Sequence, residues 1–233
     1  MINLEKLAAV VIGSSGGIGS ALCNELTLDK SFDTVVAIDR KSAPNIDLLN
    51  EDSIMNAAQE LAASGIKIKV LIVATGFLHG LDQRPEKRLK DLSAASLSNS
   101  FAINTIGPAL LLKHFLPLAP KGERSVFACL SARVGSIGDN SLGGWHSYRA
   151  SKAALNQIIK TMAVELRRTN VDSVLVSIHP GTTSTELSKP FSKNGLDVRT
   201  PEVAAKQILS VLGKLTTQDS GAFFDHLGKP IPW

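Results

Sequence analysis

The stretch Leu-Ala-Ala-Val-Val-Ile-Gly-Ser-Ser-Gly-Gly-Ile-Gly at residues 7–19 decides the fold class of this 233-residue chain. Its first six residues are apolar and include three β-branched side chains, which predicts a buried strand. The glycines end that strand, and the spacing of Leu22 and Leu26 predicts a helix after the turn. A glycine-rich turn between a strand and a helix is typical of folds that bind an anion at the helix N-terminus.

Strands and helices alternate along the rest of the sequence. Short β-branched runs predict strands, and longer amphipathic stretches predict helices. The predicted strands cover residues 34–38, 70–75, 125–130 and 173–178, the predicted helices cover residues 51–64, 97–115, 148–168 and 201–215, and a last edge strand is expected over residues 221–224. This alternation predicts the α/β class: a single doubly wound Rossmann domain over residues 1–233, with a mostly parallel sheet and helices on both faces.

Composition argues against several other classes of protein. Apolar residues make up 44% of the chain and charged residues 20%, which is typical of a folded globular protein and not of a disordered one. No apolar run approaches the roughly 20 residues of a membrane span, so we expect no membrane partner. The net charge of +4 is spread without a block of five or six like charges, so we expect no nucleic-acid partner.

Cysteine and histidine usage adds two expectations. Cys23 and Cys129 lie in apolar surroundings, and the run at residues 7–12 lacks the cleavage pattern of a secretory signal; both features favour a cytoplasmic protein with free thiols. The five histidines are all more than 30 residues apart, which is not the spacing of a zinc site, so we expect no metal.

The glycine turn predicts a dinucleotide site. Glycines at this point let backbone N–H groups approach a pyrophosphate at the helix N-terminus. Asp39 strengthens the prediction, because it ends the next strand 20 residues after the last glycine, where a carboxylate can accept hydrogen bonds from an adenosine ribose. The predicted contacts in the turn are Gly13, Ser15, Gly17, Ile18 and Gly19.

The choice between the two nicotinamide dinucleotides depends on Asp39 and Arg40. A carboxylate suits the ribose hydroxyls of NAD(H), whereas a guanidinium would pair with the 2′-phosphate of NADP(H). We favour NAD(H), because Arg40 could equally be a solvated cation. We leave NADP(H) open, because the Arg40 guanidinium could instead pair with the 2′-phosphate. Asp47 and Leu48 are expected near the adenine, although a lone Asp in a loop is most often a turn residue.

A second motif is formed by Tyr148 and Lys152. The two residues are i, i+4 neighbours in a predicted helix, so both side chains share one face. A phenol has a pKa of about 10 and is a poor acid or base at neutral pH, but an adjacent ammonium stabilises the phenolate. Lowering that pKa to about 7 requires roughly 4 kcal/mol, which we expect from Lys152 together with a positively charged nicotinamide.

With these residues in place, the sequence resembles the short-chain dehydrogenase/reductase family over nearly its whole length. The matching residues are Gly13, Gly17, Gly19, Asp39, Asn104, Tyr148, Lys152 and the stretch Pro180-Gly181-Thr182-Thr183-Ser184-Thr185. Within the family the chain is similar to the branch of C-factor-like proteins and sniffer-type carbonyl reductases, through residues 131–137, 143–155 and 231–233.

The resemblance implies an oxidoreductase that transfers a hydride between NAD(P)(H) and a small carbonyl or secondary alcohol. Tyr148 would be the general acid and base, and Lys152 would hold the nicotinamide ribose and lower the phenol pKa. Asn104 would fix a water that links Lys152 to solvent, within a helix locally broken near Gly107. The further cofactor contacts that the resemblance implies, with ordinary turn residues as the alternative for the two threonines, are Ala74, Thr75, Gly76, Pro180, Gly181, Thr183 and Thr185.

Two positions depart from the family pattern. Val73-Ala74-Thr75-Gly76 replaces the usual Asn-Asn-Ala-Gly after the third strand. Ala132 stands where the family usually has the serine that orients the substrate carbonyl. Ser131 is a candidate substitute, but adjacent strand residues point to opposite faces, so a structural role is the alternative. Ser136 and Ser141 are further candidates.

The resemblance also suggests a substrate segment and an assembly. Residues 186–199 follow a strand end and are expected to cover the substrate. The run at residues 109–112 and the helix of Tyr148 resemble subunit-pairing helices, which suggests a homodimer or homotetramer. A second hypothesis is a dinucleotide-binding signalling or regulatory protein with vestigial catalysis, which Ala132 and the C-factor-like similarity motivate.

Overall fold

Strands and helices alternate in the computed structural model, which describes residues 6–81, 83–191 and 198–233. The strands are β1 Lys6–Ile12, β2 Thr34–Ile38, β3 Ile66–Val73, β4 Ser125–Leu130, β5 Ser173–His179 and β6 Phe223–Asp225. The α-helices are α1 Gly17–Thr27, α2 Glu51–Ala63, α3 Ala94–Phe101, α4 Gly107–Phe115, α5 His146–Thr169 and α6 Pro201–Lys214. A π-helical turn, Ala102–Ile106, joins α3 to α4, and short 3₁₀ turns cover Leu89–Asp91, Leu116–Leu118, Arg133–Gly135, Lys189–Phe191 and Thr217–Asp219.

The strands form one parallel sheet in the order β2-β1-β3-β4-β5-β6. From β1 the chain first adds β2 on one side, and then crosses back to add β3 on the other. Ligands of such sheets bind where the winding direction reverses, beyond the carboxyl ends of the strands. The predicted doubly wound Rossmann domain is therefore confirmed, and its switch point lies between β1 and β3.

Alternating side chains of the strands fill two separate cores. In β1, Ala8, Val10 and Ile12 face one core, whereas Ala9 and Val11 face the other. Helices α2, α4 and α5 cover the first core, and α1 and α6 cover the second. Each large apolar side chain buried in this way contributes about 1.5–3 kcal/mol to folding. This three-layer packing holds the strand ends, and the loops that follow them, in fixed positions.

Several predicted boundaries need correction. Strand β3 begins at Ile66, because Ile66 pairs with Lys6 of β1, and it ends at Val73, so Thr75 lies in the loop beyond it. The last strand starts two residues later than predicted, since Gly221 has a φ of +83° and turns the chain before β6. Helix α5 begins at His146, two residues before Tyr148.

One helical run meets the length and composition criterion for a membrane span, contrary to our expectation from the sequence. It extends from Ala94 to Leu118 through α3, the π-helical turn and α4. Leu111, Leu112 and Phe115 of this run are completely buried in the first core. A core helix passes the same test, so the run is weak evidence for a membrane span.

Candidate active site and cofactor crevice

The glycine turn after β1 is too tight for any other residue at two positions. Gly13 has a φ of +92°, which favours glycine. A Cβ atom on Gly19 would lie 2.1 Å from the Gly13 carbonyl oxygen. The Gly13 N–H donates to the Ile38 oxygen at 2.8 Å, which ties the turn to the end of β2. The turn therefore has one compact shape that brings the start of α1 over the end of the sheet.

Helix α1 presents an uncapped N-terminus at this turn. Gly16 is its N-cap and offers no side-chain hydrogen bond, and no acidic residue stands in its first turn. A Cβ atom on Gly17 would lie 3.1 Å from Cγ2 of Thr185, so the loop after β5 crosses directly in front of the helix end. Free backbone N–H groups and the helix dipole favour an anion there, as a pyrophosphate requires.

Asp39 is held as an anion beside the turn. Its carboxylate accepts hydrogen bonds from the N–H groups of Lys41 at 2.7 Å and Ser42 at 3.0 Å and from the Ser14 hydroxyl at 3.3 Å. These bonds, with that of Lys41 the largest contribution, lower the pKa of Asp39. The neighbouring Arg40 is exposed. The carboxylate is thus fixed next to the turn.

A cavity of about 330 Å³, here called the glycine crevice, gathers most of the predicted dinucleotide contacts. Its lining includes Gly13, Ser15, Asp39, Arg40, Asp47, Leu48, Ala74, Thr75 and Gly76. Thr75 Oγ1 is buried in the described structure with no hydrogen-bond partner there. An open helix end, a fixed carboxylate and an unpaired buried hydroxyl fit a dinucleotide, because each can bind its polar groups.

Gly76 joins the crevice to the predicted catalytic residues. A Cβ atom there would lie 3.9 Å from both Asn104 Oδ1 and Lys152 Nζ. Asn104 lies in the π-helical turn, so the predicted break in the helix is present and begins before Gly107. Its amide accepts from Phe77 N at 2.7 Å and donates to Phe77 O at 2.8 Å and Ser151 Oγ at 3.1 Å. Asn104 therefore fixes the loop after β3 against α5.

Tyr148 and Lys152 share one face of α5, as their spacing predicts. The Lys152 ammonium lies 5.9 Å from the centre of the Tyr148 ring and donates to Leu130 O at 2.8 Å. Burial raises the pKa of Tyr148 to about 12. The lowering expected from Lys152 together with a positively charged nicotinamide stays a prediction. Burial also lowers the pKa of Lys152 to about 8.

The serine candidates near Ala132 differ in where their hydroxyls point. Ser131 Oγ donates to Asn156 Oδ1 of α5 at 2.7 Å, so its proton is used in packing the helix on the sheet. This bond supports the structural role weighed above. Ser131 also lines the cavity that contains Tyr148, and its role as carbonyl donor stays a prediction. Ser136 Oγ donates to Pro232 O. Ser141 is exposed and lines the cavity that contains Tyr148.

That second cavity, here called the tyrosine cleft, has a volume of about 490 Å³. Ile18, Pro180, Gly181, Thr183 and Thr185 line it, so these predicted cofactor contacts lie beside Tyr148. Its other lining includes Leu78, Arg133, Val134, Leu142, Trp145, Arg149, His179, Leu187 and Phe191. The predicted substrate segment contributes residues up to Phe191, and its residues 192–197 lie outside the described residues.

Comparison with known proteins identifies the family. The family model described as enoyl-(acyl carrier protein) reductase matches residues 22–221. The protein is a short-chain dehydrogenase/reductase. Enzymes of this family are NAD(P)-dependent oxidoreductases, and the chain belongs to that class.

Two curated relatives of this short-chain dehydrogenase/reductase cover much of its length. One is 1-hydroxy-2-glutathionyl-2-methyl-3-butene dehydrogenase of Rhodococcus sp. (strain AD45), 29% identical over 96% of this chain and 98% of the relative. The other is C-signal of Myxococcus xanthus, 34% identical over 62% of this chain and 83% of the relative. The predicted similarity to C-factor-like proteins is consistent with the second match.

Solved structures share the fold. The carbonyl reductase Sniffer of D. melanogaster superposes with a TM-score of 0.83 at 23% identity, over 98% of this chain and 99% of the other. An NADPH-bound carbonyl reductase from chicken fatty liver superposes with a TM-score of 0.82 at 26% identity, over 98% of this chain and 100% of the other.

The sequence did not reveal every residue at the active site of this short-chain dehydrogenase/reductase. Trp145, Arg149 and His179 line the tyrosine cleft, and Glu86 is buried at the start of α5. The pair Gly143-Gly144 before Trp145 was the available signal, since adjacent glycines often mark positive φ. Within the described ranges, no group of three or more His, Cys, Asp or Glu side chains is placed to hold a metal ion.

Proposed function

We propose that the protein transfers a hydride between NAD(P)(H) and a carbonyl or secondary alcohol, with Tyr148 as general acid and base. The observation that carries this proposal is the position of Tyr148: it lines the tyrosine cleft, while Lys152 on the same helix face reaches toward Gly76 of the glycine crevice. The two cavities therefore meet at one pair of side chains. A bound nicotinamide would supply the hydride in reduction.

The reductive direction requires a protonated phenol, and burial, which raises the pKa of Tyr148 to about 12, keeps the phenol protonated at neutral pH. The same burial makes it a weaker acid, so donation of its proton to a carbonyl oxygen requires stabilisation of the phenolate. Positive charge near the phenol favours the phenolate that this donation leaves. Lys152, whose ammonium is 5.9 Å from the ring centre, is the closest candidate for supplying it.

The geometry of Asp39 supports NAD(H) as the preferred cofactor. The carboxylate would accept hydrogen bonds from the two ribose hydroxyls and would repel a 2′-phosphate. Its hydrogen bonds to Lys41 and Ser42 keep it ionised, so this repulsion persists at neutral pH. Arg40 lines the same cavity and is the residue that would accommodate NADP(H).

We propose a small, largely apolar substrate. Leu78, Val134, Leu142, Trp145 and Phe191 supply apolar walls around Tyr148. Burying such surface drives binding without specifying one chemical structure, which fits a permissive carbonyl reductase. The chicken carbonyl reductase that shares this fold makes a carbonyl compound the natural first class to test.

The test follows oxidation of NADH and of NADPH at 340 nm with a panel of aldehydes and ketones. Tyr148→Phe is the matched control, because it removes only the hydroxyl. We expect turnover to fall by about 100-fold or more in this variant, with cofactor binding unchanged. Equal turnover in the variant and the wild type would contradict the proposed role of Tyr148.

Two observations favour a second function, a dinucleotide-binding signalling protein with weak catalysis. Ala132 removes the usual carbonyl donor, and C-signal of Myxococcus xanthus is 34% identical over 62% of this chain. Loss of one preorganised donor reduces turnover by about 100-fold or more without removing the cofactor site. Cofactor binding without oxidation of NADH or NADPH across the panel would favour this function.

We also propose that subunits pair through α4 and α5 as a homodimer or homotetramer. Ile106, the last residue of the π-helical turn before α4, and Val164, on α5, are apolar and exposed in the single chain. Light scattering coupled to size-exclusion chromatography gives the subunit number. A monomer at micromolar concentration would contradict this proposal.

A further inference from the structure

Helix α5 is capped by a carboxylate from a distant segment. Glu86 is only 4% exposed, and its carboxylate accepts hydrogen bonds from the Ser147 N–H at 3.2 Å and from the Ser147 hydroxyl. The N-cap residue Trp145 offers no side-chain cap of its own. A negative charge at a helix N-terminus satisfies free N–H groups and interacts favourably with the dipole. This buried carboxylate therefore holds the helix one residue before Tyr148.

The same segment holds the unusual turn that precedes the helix. Gly143, Gly144 and Trp145 have φ values of 65°, 65° and 54°, three consecutive residues in the left-handed region. A tryptophan rarely adopts this conformation unless its surroundings impose it. The Trp145 N–H donates to the Glu86 carbonyl oxygen, and a Cβ atom on Gly144 would lie 3.5 Å from that oxygen. Glu86 thus contacts the turn through its main chain and the helix through its side chain.

Arg149 holds the turn from inside the helix. Its guanidinium donates to Gly144 O at 2.9 Å, to Gly143 O at 3.1 Å and to Val134 O at 3.3 Å. The Asp139 carboxylate interacts with this guanidinium electrostatically. The hydrogen bonds of Arg149 within the described residues go to main-chain oxygens, so the turn is fixed by Glu86 on one side and by Arg149 on the other.

The fixed turn places Trp145 in the wall of the tyrosine cleft. The indole packs edge-on against the ring of Tyr148, with centroids 6.2 Å apart, and against Phe191, with centroids 5.3 Å apart. Edge-to-face contacts of this kind depend on ring orientation, so the turn conformation sets how the cleft wall meets the phenol.

We infer that Glu86 is a positioning residue for carbonyl reduction: by capping α5 and holding Trp145 in its left-handed turn, it sets the position of Tyr148 in the cleft. This inference rests on the proposed function, because it assigns Glu86 an effect on turnover. Glu86 does not itself line the tyrosine cleft, and none of its described hydrogen bonds joins it to the Tyr148 hydroxyl. Its effect passes through Ser147 and Trp145.

The test compares Glu86→Ala and Glu86→Gln with a matched control, Glu60→Gln, whose side chain is exposed on α2. Amide hydrogen exchange over residues 143–150 reports the turn without requiring activity. Cofactor-induced thermal shifts report the glycine crevice, and kcat and KM for the best carbonyl substrate report the cleft. We expect Glu86→Ala to speed exchange at Ser147, whose N–H loses its acceptor, to lower kcat about 10-fold or more and to leave the cofactor shift intact. Glu86→Gln keeps an acceptor and should recover part of kcat.

Several results would overturn the inference. Unchanged kcat in Glu86→Ala would do so, even if exchange or stability changed, because a merely structural cap predicts that outcome. Unchanged exchange at Ser147 would do so as well. If Glu86→Ala does not fold, Glu86→Gln and Ser147→Ala carry the same comparison. A wild-type protein that does not reduce carbonyl compounds would refute both the proposed function and the effect of Glu86 on turnover. In that case amide hydrogen exchange would still decide whether Glu86 holds the start of α5.

Discussion

The Lys152 ammonium donates to the main-chain oxygen of Leu130 at 2.8 Å, at the end of β4. The bond joins the face of α5 that carries Tyr148 and Lys152 to the sheet. The helix can approach residue 135 closely because that residue is glycine: a Cβ atom there would lie 2.8 Å from Lys152 Cβ. The ammonium is buried with one hydrogen bond to a neutral acceptor, and burial therefore lowers its pKa to about 8. Keeping a charged group in such a place costs stability.

This cost predicts how stability depends on alkaline pH. The pKa of Lys152 is about 8 in the folded protein and about 10.4 in an unfolded chain, so the unfolded state binds more protons between these values. Stability without cofactor should therefore rise by roughly 2 kcal/mol between pH 7 and pH 9.5. Denaturant unfolding at both pH values measures this rise. Lys152→Met should lack it; an equal rise in the variant would assign it to other groups.

His179 predicts how the free energy of unfolding depends on pH in the acidic range. Burial, together with smaller contributions from the nearby charges of Arg133 and His226, lowers its pKa to about 4. The folded protein thus keeps His179 neutral while an unfolded chain protonates it below pH 6.5. We expect a loss of about 2–3 kcal/mol of stability as pH falls from 6.5 to 4. His179→Asn should lose less over this interval in the same unfolding experiment, and parallel curves for the two proteins would refute the assignment.

Substitutions at Ala132 and at Ser141 should change turnover differently, depending on which group acts as the carbonyl donor. If Ser141 replaces the missing carbonyl donor, Ser141→Ala should lower kcat by about 10-fold or more, and Ala132→Ser should add little. If the site has lost its donor, Ala132→Ser should raise kcat strongly and Ser141→Ala should change nothing. Steady-state kinetics of both variants decides between the enzyme and the vestigial-catalysis hypotheses. Ser136, bonded to Pro232, provides the comparison position.

Two glycine substitutions should have opposite effects on stability. Gly19→Ala places a Cβ atom 2.1 Å from the Gly13 oxygen, so the turn must deform; we expect a loss of several kcal/mol and of cofactor binding. Gly213→Ala lies in α6 with no atom within 4 Å of the new Cβ. Alanine should stabilise that helix by about 0.5–1 kcal/mol. Thermal unfolding of both variants checks the pair, and a stable Gly19→Ala protein that binds NADH would contradict the described turn.

Local patterns were sufficient to predict much of the fold. Strands β2 and β4 begin and end at the predicted residues, because their β-branched or apolar runs stop at clear turn signals. The glycine turn, Asp39 and the Tyr148–Lys152 face were also predicted, since each depends on short-range spacing. Sequence separation limited the rest. Glu86 and Ser147 are 61 positions apart, and no local pattern indicates that they meet.

The burial of the Tyr148 phenol could not be predicted from the sequence for a related reason. Spacing along the helix places Lys152 near the phenol, but it does not show that the ammonium points to Leu130 or that the cavity walls remove water from the ring. Desolvation and hydrogen-bond direction are properties of tertiary packing. Ser131 illustrates the same limit, because its use by Asn156 depends on how α5 packs against β4.

The most direct test of the account is the thermal unfolding midpoint of the protein without ligand, with NADH and with NADPH. A ligand at 100 times its Kd adds about 2.7 kcal/mol, which for a chain of this size raises the midpoint by roughly 5–10 °C. We expect a clear rise in the midpoint, and a larger one with NADH than with NADPH because Asp39 is fixed beside the glycine turn. No rise with either dinucleotide at saturating concentration would mean that the glycine crevice does not bind it, and would contradict the proposed function.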